Sequence, residues 1–462
     1  MARRITVGIF ALVVLAIVFG LIFLREEAPP EPDLKLLVLS PHWLGIKEEF
    51  SRGFREYYRK RTSLVAEIEW LDQGGTSSIR RYIENKFSAS PEGIGVDLFF
   101  GGGIAPHLRL AEKGHFEAYR PPRHVLNDIP KDLAGIPVYD EKYRWFGACF
   151  SGFGIVYNKA VGDRMKLPAI STWADLADPN LRGWVASGDP RSSGSVHMMY
   201  EIMLQAYGFE KGYGVICRMS GNVKAFNEGG SSVPRDVGLA ESYCGPSIDF
   251  YAWEQVVRHG PENIGYAVPA ALENGKTRGL TVIGADPVAI LKGAPHRSAA
   301  EKFVDFVLSD EGQKLWYFKP GEDGGPKRFG LNRMPVRRSM YQHSNRSGVK
   351  YNPFEWEGGF RYDAKKASRR WVIVNDLFKA SIYDVHEELR DAWIALHNAM
   401  MPPEAVELFE RSPASEAELE GLAKGNLWGE QKIRNDTMRR WTERAREKFG
   451  QVVERCGAGR RR

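Results

Sequence analysis

Apolar and polar positions along the chain follow two interleaved periods. Residues 36–39 are a short apolar run bounded by Ser40-Pro41-His42, which predicts a buried strand. Phe50, Phe54, Tyr57 and Tyr58 then recur at helical spacing. Residues 65–70 alternate as a second strand and end in Asp72-Gln73-Gly74-Gly75-Thr76-Ser77-Ser78, after which residues 79–87 return to a helical period. Residues 96–100 are a third strand, closing in Gly101-Gly102-Gly103. Strand, loop and helix in repeated succession is the βαβ pattern of a mostly parallel sheet. Such sheets bind ligands at the carboxyl ends of their strands, where these loops gather.

The middle of the chain repeats the theme. Strands are predicted over 154–158 and 183–186, the second running into Asp189-Pro190-Arg191-Ser192-Ser193-Gly194-Ser195 and a helix over 196–206. A short helix capped by Ser171 or Thr172 lies between them. A further apolar segment begins at Val288, and residues 299–308 read as a helix. Two α/β sets in one chain predict two lobes. Beyond them Ile382, Val385, Leu389, Trp393, Leu396 and Met400 form a helical stripe, and helices are predicted over 404–409, 416–422 and 435–449, so the chain ends in an α-helical extension.

Residues 5–24 carry no charge and follow Arg3-Arg4. At about 1.5 Å per residue the run matches the roughly 30 Å of a bilayer core. The bulky exit Ile22-Phe23-Leu24 favours an uncleaved anchor with a cytoplasmic N-terminus over a cleaved signal. Both readings export the remainder, with Ala28-Pro29-Pro30-Glu31-Pro32 as a stiff spacer. The 462 residues allow two to four folding units, and a net charge of +6 is too weak to imply a nucleic-acid partner. Cys149, Cys217, Cys244 and Cys456 form no CxxC pair, which argues against a zinc site; Cys217–Cys244 is a possible disulfide, and buried free thiols are the alternative.

No GxSxG elbow, HExxH or phosphate-binding loop occurs. The sequence repeats small, donor-rich loops between a strand and a helix instead: Gly74-Gly75-Thr76-Ser77-Ser78 and Ser192-Ser193-Gly194-Ser195. Glycine admits close approach to backbone N–H groups, the following helix N-terminus adds about half a positive charge, and hydroxyls complete an anion cradle. One such loop is ordinarily a turn and cap; two, one in each predicted lobe, point to a shared site between them. Arg80, Arg81 and Arg191 are the candidate counter-charges.

The order of several segments resembles a known family. Residues 171–176 with Leu181-Arg182-Gly183-Trp184-Val185 and Asp189-Pro190, residues 154–159, and the run Ala289–His296 with 299–313 resemble the bacterial extracellular solute-binding proteins of ABC transporters, and Asn332–Arg337 fits the loop that follows. The resemblance implies a two-lobed α/β periplasmic-binding-protein fold of type II that closes on its ligand. The expected layout is an anchor or signal at 1–24, a linker at 25–34, one lobe from 35–145 and 285–345, a second from 146–284, and the extension at 346–462. Within the family the ferric-iron-binding branch is the most similar. His42 matches its histidine ligand, its glutamate falls in Gly101-Gly102-Gly103 and is lost, and its tyrosine pair falls on Phe250-Tyr251. The anion contact matches Ser193-Gly194-Ser195. The resemblance thus implies a binding protein that is not an enzyme and uses no cofactor, delivering a small carboxylate, phosphonate or sugar phosphate to an ABC permease from the outer face of the membrane. Ser40, His42, Gly74, Gly75, Thr76, Ser77, Gly102, Ser192, Ser193, Gly194, Ser195, Asp249 and Tyr251 are the expected ligand contacts. Iron binding with an altered ligand set, or a membrane-anchored sensor acting through the extension, are the alternatives.

Overall fold

The first strand, β1 (Leu34–Leu39), buries Leu36, Val38 and Leu39 completely. It pairs in parallel with β2 (Ala66–Leu71) on one side and β3 (Leu98–Phe100) on the other. Helix α1 (Leu44–Thr62) joins β1 to β2 and lays Phe50, Phe54, Tyr57 and Tyr58 into the core, as its spacing predicts. Helix α2 (Thr76–Ala89) joins β2 to β3, and α3 (Ile104–Glu112) follows β3. The computed structural model describes residues 31–458 except 134, 228, 274–275, 350–351, 356–360 and 426. The anchor expected over residues 5–24 lies outside them, and no helix among the described residues is long and apolar enough to cross a membrane.

The next strand, β4 (Phe146–Asn158), starts eight residues before its predicted beginning, because Gly147 and the polar Ser151 hide a strand that is buried on both faces. After it come β5 (Val185–Gly188), α4 (Gly194–Ala206), α5 (Phe209–Asn222), β6 (Val223–Asn227), the short α6 (Ser232–Gly238), β7 (Cys244–Ile248), α7 (Asp249–His259) and β8 (Ile264–Ala267). The chain returns through β9 (Ile283–Ile290) to α8 (Arg297–Leu308) and α9 (Asp310–Tyr317). These strands form one hydrogen-bonded path, β2-β1-β3-β9-β4-β7-β5-β6, with β8 also on β4, and two short two-stranded ribbons lie outside it. Residues 146–152 of β4 pair antiparallel with β9, and residues 153–157 pair antiparallel with β7. One strand therefore belongs to both lobes.

The extension is helical, in α10 (Ala364–Phe378), α11 (His386–Asn398), α12 (Pro403–Glu410), α13 (Glu416–Lys424) and α14 (Gln431–Ala458). It is packed onto the lobes. Helices α11 and α12 lie on α5, and α10 lies against α3 of the first lobe and α4 of the second. A single apolar cluster takes in Ile79, Met199, Trp393 and Trp441. Of the predicted stripe, Ile382, Val385, Leu389, Trp393 and Leu396 are fully buried. Met400 is not part of it: the helix ends at Asn398, and Met400 sits at φ 61° with 90% exposure. All four cysteines are buried free thiols, so the Cys217–Cys244 pairing does not form; Cys217 lies instead with its Sγ 3.4 Å from the Phe409 carbonyl oxygen.

Candidate functional site

Loops at the carboxyl ends of β1, β2, β3, β5 and β7 meet between the lobes and enclose a cavity of about 820 Å³. That lies within the roughly 300–1,000 Å³ usual for small-molecule sites. On the first-lobe side, the Asp72 carboxylate accepts from the Gly74 N–H at 2.8 Å, and Gly75 caps α2. On the second-lobe side, Ser193 caps α4, accepting from the Val196 N–H at 3.4 Å, and its hydroxyl lies 3.1 Å from that of Ser195. The two rims touch: a Cβ built on Gly75 would stand 2.2 Å from the Ser192 carbonyl oxygen, and one on Gly194 would stand 2.8 Å from the Thr76 Cβ. Only glycine permits this closed approach.

Five helices of eight residues or more begin at the cavity. Trp43 at the start of α1, Thr76 of α2, Ile104 of α3, Gly194 of α4, and Phe250 and Tyr251 of α7 all line it. Each N-terminus presents unpaired N–H groups and about half a positive charge. The convergence of five, from both lobes, makes the cavity centre favourable to an anion.

Of the expected contacts, His42, Gly74, Gly75, Thr76, Gly102, Ser192, Ser193, Gly194, Ser195 and Tyr251 line the cavity. Three do not. Ser40 is buried and accepts from the His42 N–H at 3.2 Å; Ser77 is buried inside the first turn of α2. Asp249 faces the β4 crossing, where its carboxylate accepts from the Gly152 and Phe250 N–H groups, each at 2.7 Å. Burial pushes the Asp249 carboxyl up to about 6, although Arg333 and the two N–H groups oppose it. The proposed counter-charges are also elsewhere. Arg80 is buried against Glu84 at 2.6 Å, Arg81 reaches the Arg191 carbonyl, and Arg191 is held by Asp189 at 2.6 Å. The arginines that do line the cavity are Arg235 and Arg258. They lie in stretches where nothing in the residue pattern separates them from surface charges; only the tertiary fold brings them in.

The floor of the cavity is an ionic network. Asp286 of β9 accepts from His42 Nε2 at 2.9 Å, from Arg333 at 2.9 Å and from the Gly103 N–H at 3.1 Å, and Arg333 also donates to the Ser151 hydroxyl. Burial alone would raise the Asp286 carboxyl, but Arg333, His42 and the Gly103 N–H hold it well below the usual carboxylate range. Burial outweighs Asp286 at His42 and lowers its basicity, so the imidazole is neutral at pH 7. A carboxylate accepts only, so the His42 proton sits on Nε2.

Among the described residues the ligand set that the ferric-binding resemblance suggests is incomplete. His42 is engaged with Asp286. In the glycine run where the glutamate falls, a Cβ on Gly101 would lie 2.6 Å from His42 and one on Gly102 2.9 Å from Thr76, and all three glycines hold the positive φ that disfavours a side chain. Burial pushes the Tyr251 phenol up to about 12, and Phe250 beside it stacks under Arg333, whose guanidinium carbon is 4.4 Å from the ring centroid. Among the described residues no cluster of three His, Cys, Asp or Glu could hold a metal ion.

Residues 94–318 match the family model described as bacterial extracellular solute-binding protein. The chain is 23% identical over 249 residues to the phosphoglycerate transport regulatory protein PgtC of Salmonella typhimurium, covering 54% of this chain and 56% of that one, so it spans little more than half of that curated relative. It is 27% identical over 268 residues to the iron uptake protein A1 of Synechocystis sp., covering 56% and 68%. In fold it is similar to the periplasmic binding protein AfuA from Actinobacillus pleuropneumoniae, solved with fructose-6-phosphate bound (19% identity, 78% and 98% of the two chains, TM-score 0.56). It is likewise similar to iron-bound HitA from Pseudomonas aeruginosa (18% identity, 74% and 98%, TM-score 0.54). Two lobes closing on one cavity, the match over residues 94–318 and these shared folds agree: the chain is similar to the bacterial extracellular solute-binding proteins and has the fold of their ferric-binding-like branch.

Proposed function

We propose that the protein binds a small phosphorylated anion outside the cytoplasm and delivers it to an ABC importer, with residues 5–24 as its membrane tether. The observation that carries this reading is the convergence of five helix N-termini and the Thr76, Ser193 and Ser195 hydroxyls on one closed cavity. Relatives support the class of solute: one is named for phosphoglycerate transport and one was solved with fructose-6-phosphate. Carboxylates and phosphonates fit the same donors less fully, since a phosphate ester presents three strong acceptor oxygens to the two rims. No bond is made or broken; closure and release are the whole cycle. A hydrogen bond to a charged group contributes about 1.5–3 kcal/mol, so three or four support micromolar binding after ordering costs.

Thermal unfolding of the full-length protein with fructose 6-phosphate, 3-phosphoglycerate, inorganic phosphate and ferric citrate tests this. A phosphate ester at a hundred times its Kd stabilises the fold by about 2.7 kcal/mol and raises the midpoint. A rise with ferric citrate alone, accompanied by a visible tyrosinate band, would overturn the reading. A second reading keeps the same site but passes occupancy to another protein, as the word regulatory in the name of the Salmonella relative suggests. Loss of signalling with intact uptake in a chain whose extension surface is altered would favour it.

A further inference from the structure

The helical extension reaches the cavity itself. Trp371 on α10 lines it, with only 4% of its surface exposed. Its ring stacks on His197 of α4, centroids 3.6 Å apart, and His197 Nδ1 lies 2.7 Å from the Asn375 side-chain oxygen. One turn earlier on the same helix, the Ser368 hydroxyl donates to the Ala105 carbonyl of α3 at 3.4 Å. A single helix thus touches both lobes at the cavity margin.

The extension also braces the second-lobe loop from behind. The Tyr383 hydroxyl donates to the Gly188 carbonyl at 2.6 Å, where β5 turns into the loop. The Arg191 guanidinium lies over the Tyr383 ring, 5.3 Å from its centroid. These contacts frame the loop. Trp371 differs from them in facing the cavity and in one unmet need: its indole N–H is buried and has no hydrogen-bond partner. Leaving a buried donor unpaired is unfavourable, so an acceptor that satisfies it is favoured. An indole is also a large rigid surface, costly to displace, and so fixes the size of what it faces.

We infer that the helical extension is a third wall of the solute site, with Trp371 as the specificity-determining residue through which it contacts the bound solute. The inference rests on the phosphorylated-anion reading above and adds that the organic part of the solute lies against this wall.

The full-length protein labelled with 5-fluorotryptophan tests it, with fructose 6-phosphate as the probe. The chain has twelve tryptophans, and the fluorine signal lost in Trp371→Phe identifies that of Trp371. The expected result is a shift of this signal on saturation, together with binding by Trp371→Phe that is up to about tenfold weaker, the fold-change of one lost hydrogen bond. If Trp371→Phe does not fold, Trp371→Tyr supplies the assignment and the shift in the parent protein decides. Stabilisation by fructose 6-phosphate with the Trp371 signal unmoved overturns the inference and leaves the anion reading intact. If fructose 6-phosphate, 3-phosphoglycerate and inorganic phosphate all leave the unfolding midpoint unchanged, the anion reading fails and the inference with it.

Discussion

Two buried carboxyls near the cavity are treated oppositely by their surroundings. Asp286 is ionised by its three partners, whereas Asp249, at the β4 crossing, accepts from the Gly152 and Phe250 backbone N–H groups and feels Arg333 without a hydrogen bond to it. The Asp249 carboxyl titrates at about 6 in the folded protein and at about 3.9 in the unfolded chain. The folded state therefore holds this proton more tightly. The resulting stabilisation is complete below about pH 4 and fades as the pH rises to about 6, a difference of roughly 2.9 kcal/mol at most. Asp249→Asn is expected to flatten the pH dependence of the unfolding free energy over that window, measured by urea unfolding; a slope equal to the parent's would disprove the assignment. The buried pair Arg370–Glu201, 2.6 Å apart with both side chains fully enclosed, makes a second case. Arg370→Leu strands an unpaired carboxylate and is expected to cost about 3–5 kcal/mol, read from the same denaturation curves.

Among the elements, the strands and helices of the first βαβ units were legible because each carries one period without interruption. Helix α5 was not, because Gly212, Gly214 and Gly221 read as breakers. They are contact points: a Cβ on Gly212 would lie 2.5 Å from the Met203 carbonyl oxygen, and one on Gly221 would lie 2.5 Å from the Trp393 ring. Helix α10 was hidden by Lys365, Lys366, Arg369 and Arg370, which read as a solvated stretch although Arg370 is buried by its partner Glu201. The donor-rich loops were visible in the sequence because the same Gly, Ser and Thr pattern recurs at a strand's end in each α/β set; Trp371, Arg235 and Arg258 were not, since only the packing of separate segments brings them to the cavity. Trp393 ties the extension to α5, donating its indole N–H to Asn222 at 2.8 Å while fully buried. Trp393→Ala is expected to destabilise the protein by about 3–5 kcal/mol, with loss of protection from hydrogen exchange in α11 and α14 before the first lobe. Equal loss in every helix would contradict this order.

For the whole molecule, the structure is that of the closed receptor, with the Gly75 and Gly194 backbones against the opposite rims. Gly75→Val places methyl groups where the Ser192 carbonyl lies and is expected to hold the lobes apart. Small-angle scattering should then give a larger radius of gyration, and fructose 6-phosphate should no longer stabilise the protein, while far-ultraviolet circular dichroism is unchanged. Parent-like compactness and binding in this variant would show that closure at this contact is not required. The two-lobe plan was readable from the repeated α/β pattern, but the seating of the extension across both lobes was not, since amphipathic periodicity says that a helix needs a partner and never which one.

The ribbon of residues 146–158, hydrogen-bonded to β9 along one half and to β7 along the other, has a consequence for how the molecule comes apart. Neither half retains an intact central sheet once the other has melted, and the helical cap bridges what remains. Heating should therefore show one calorimetric peak whose van't Hoff and measured enthalpies agree, as in a protein of one cooperative block.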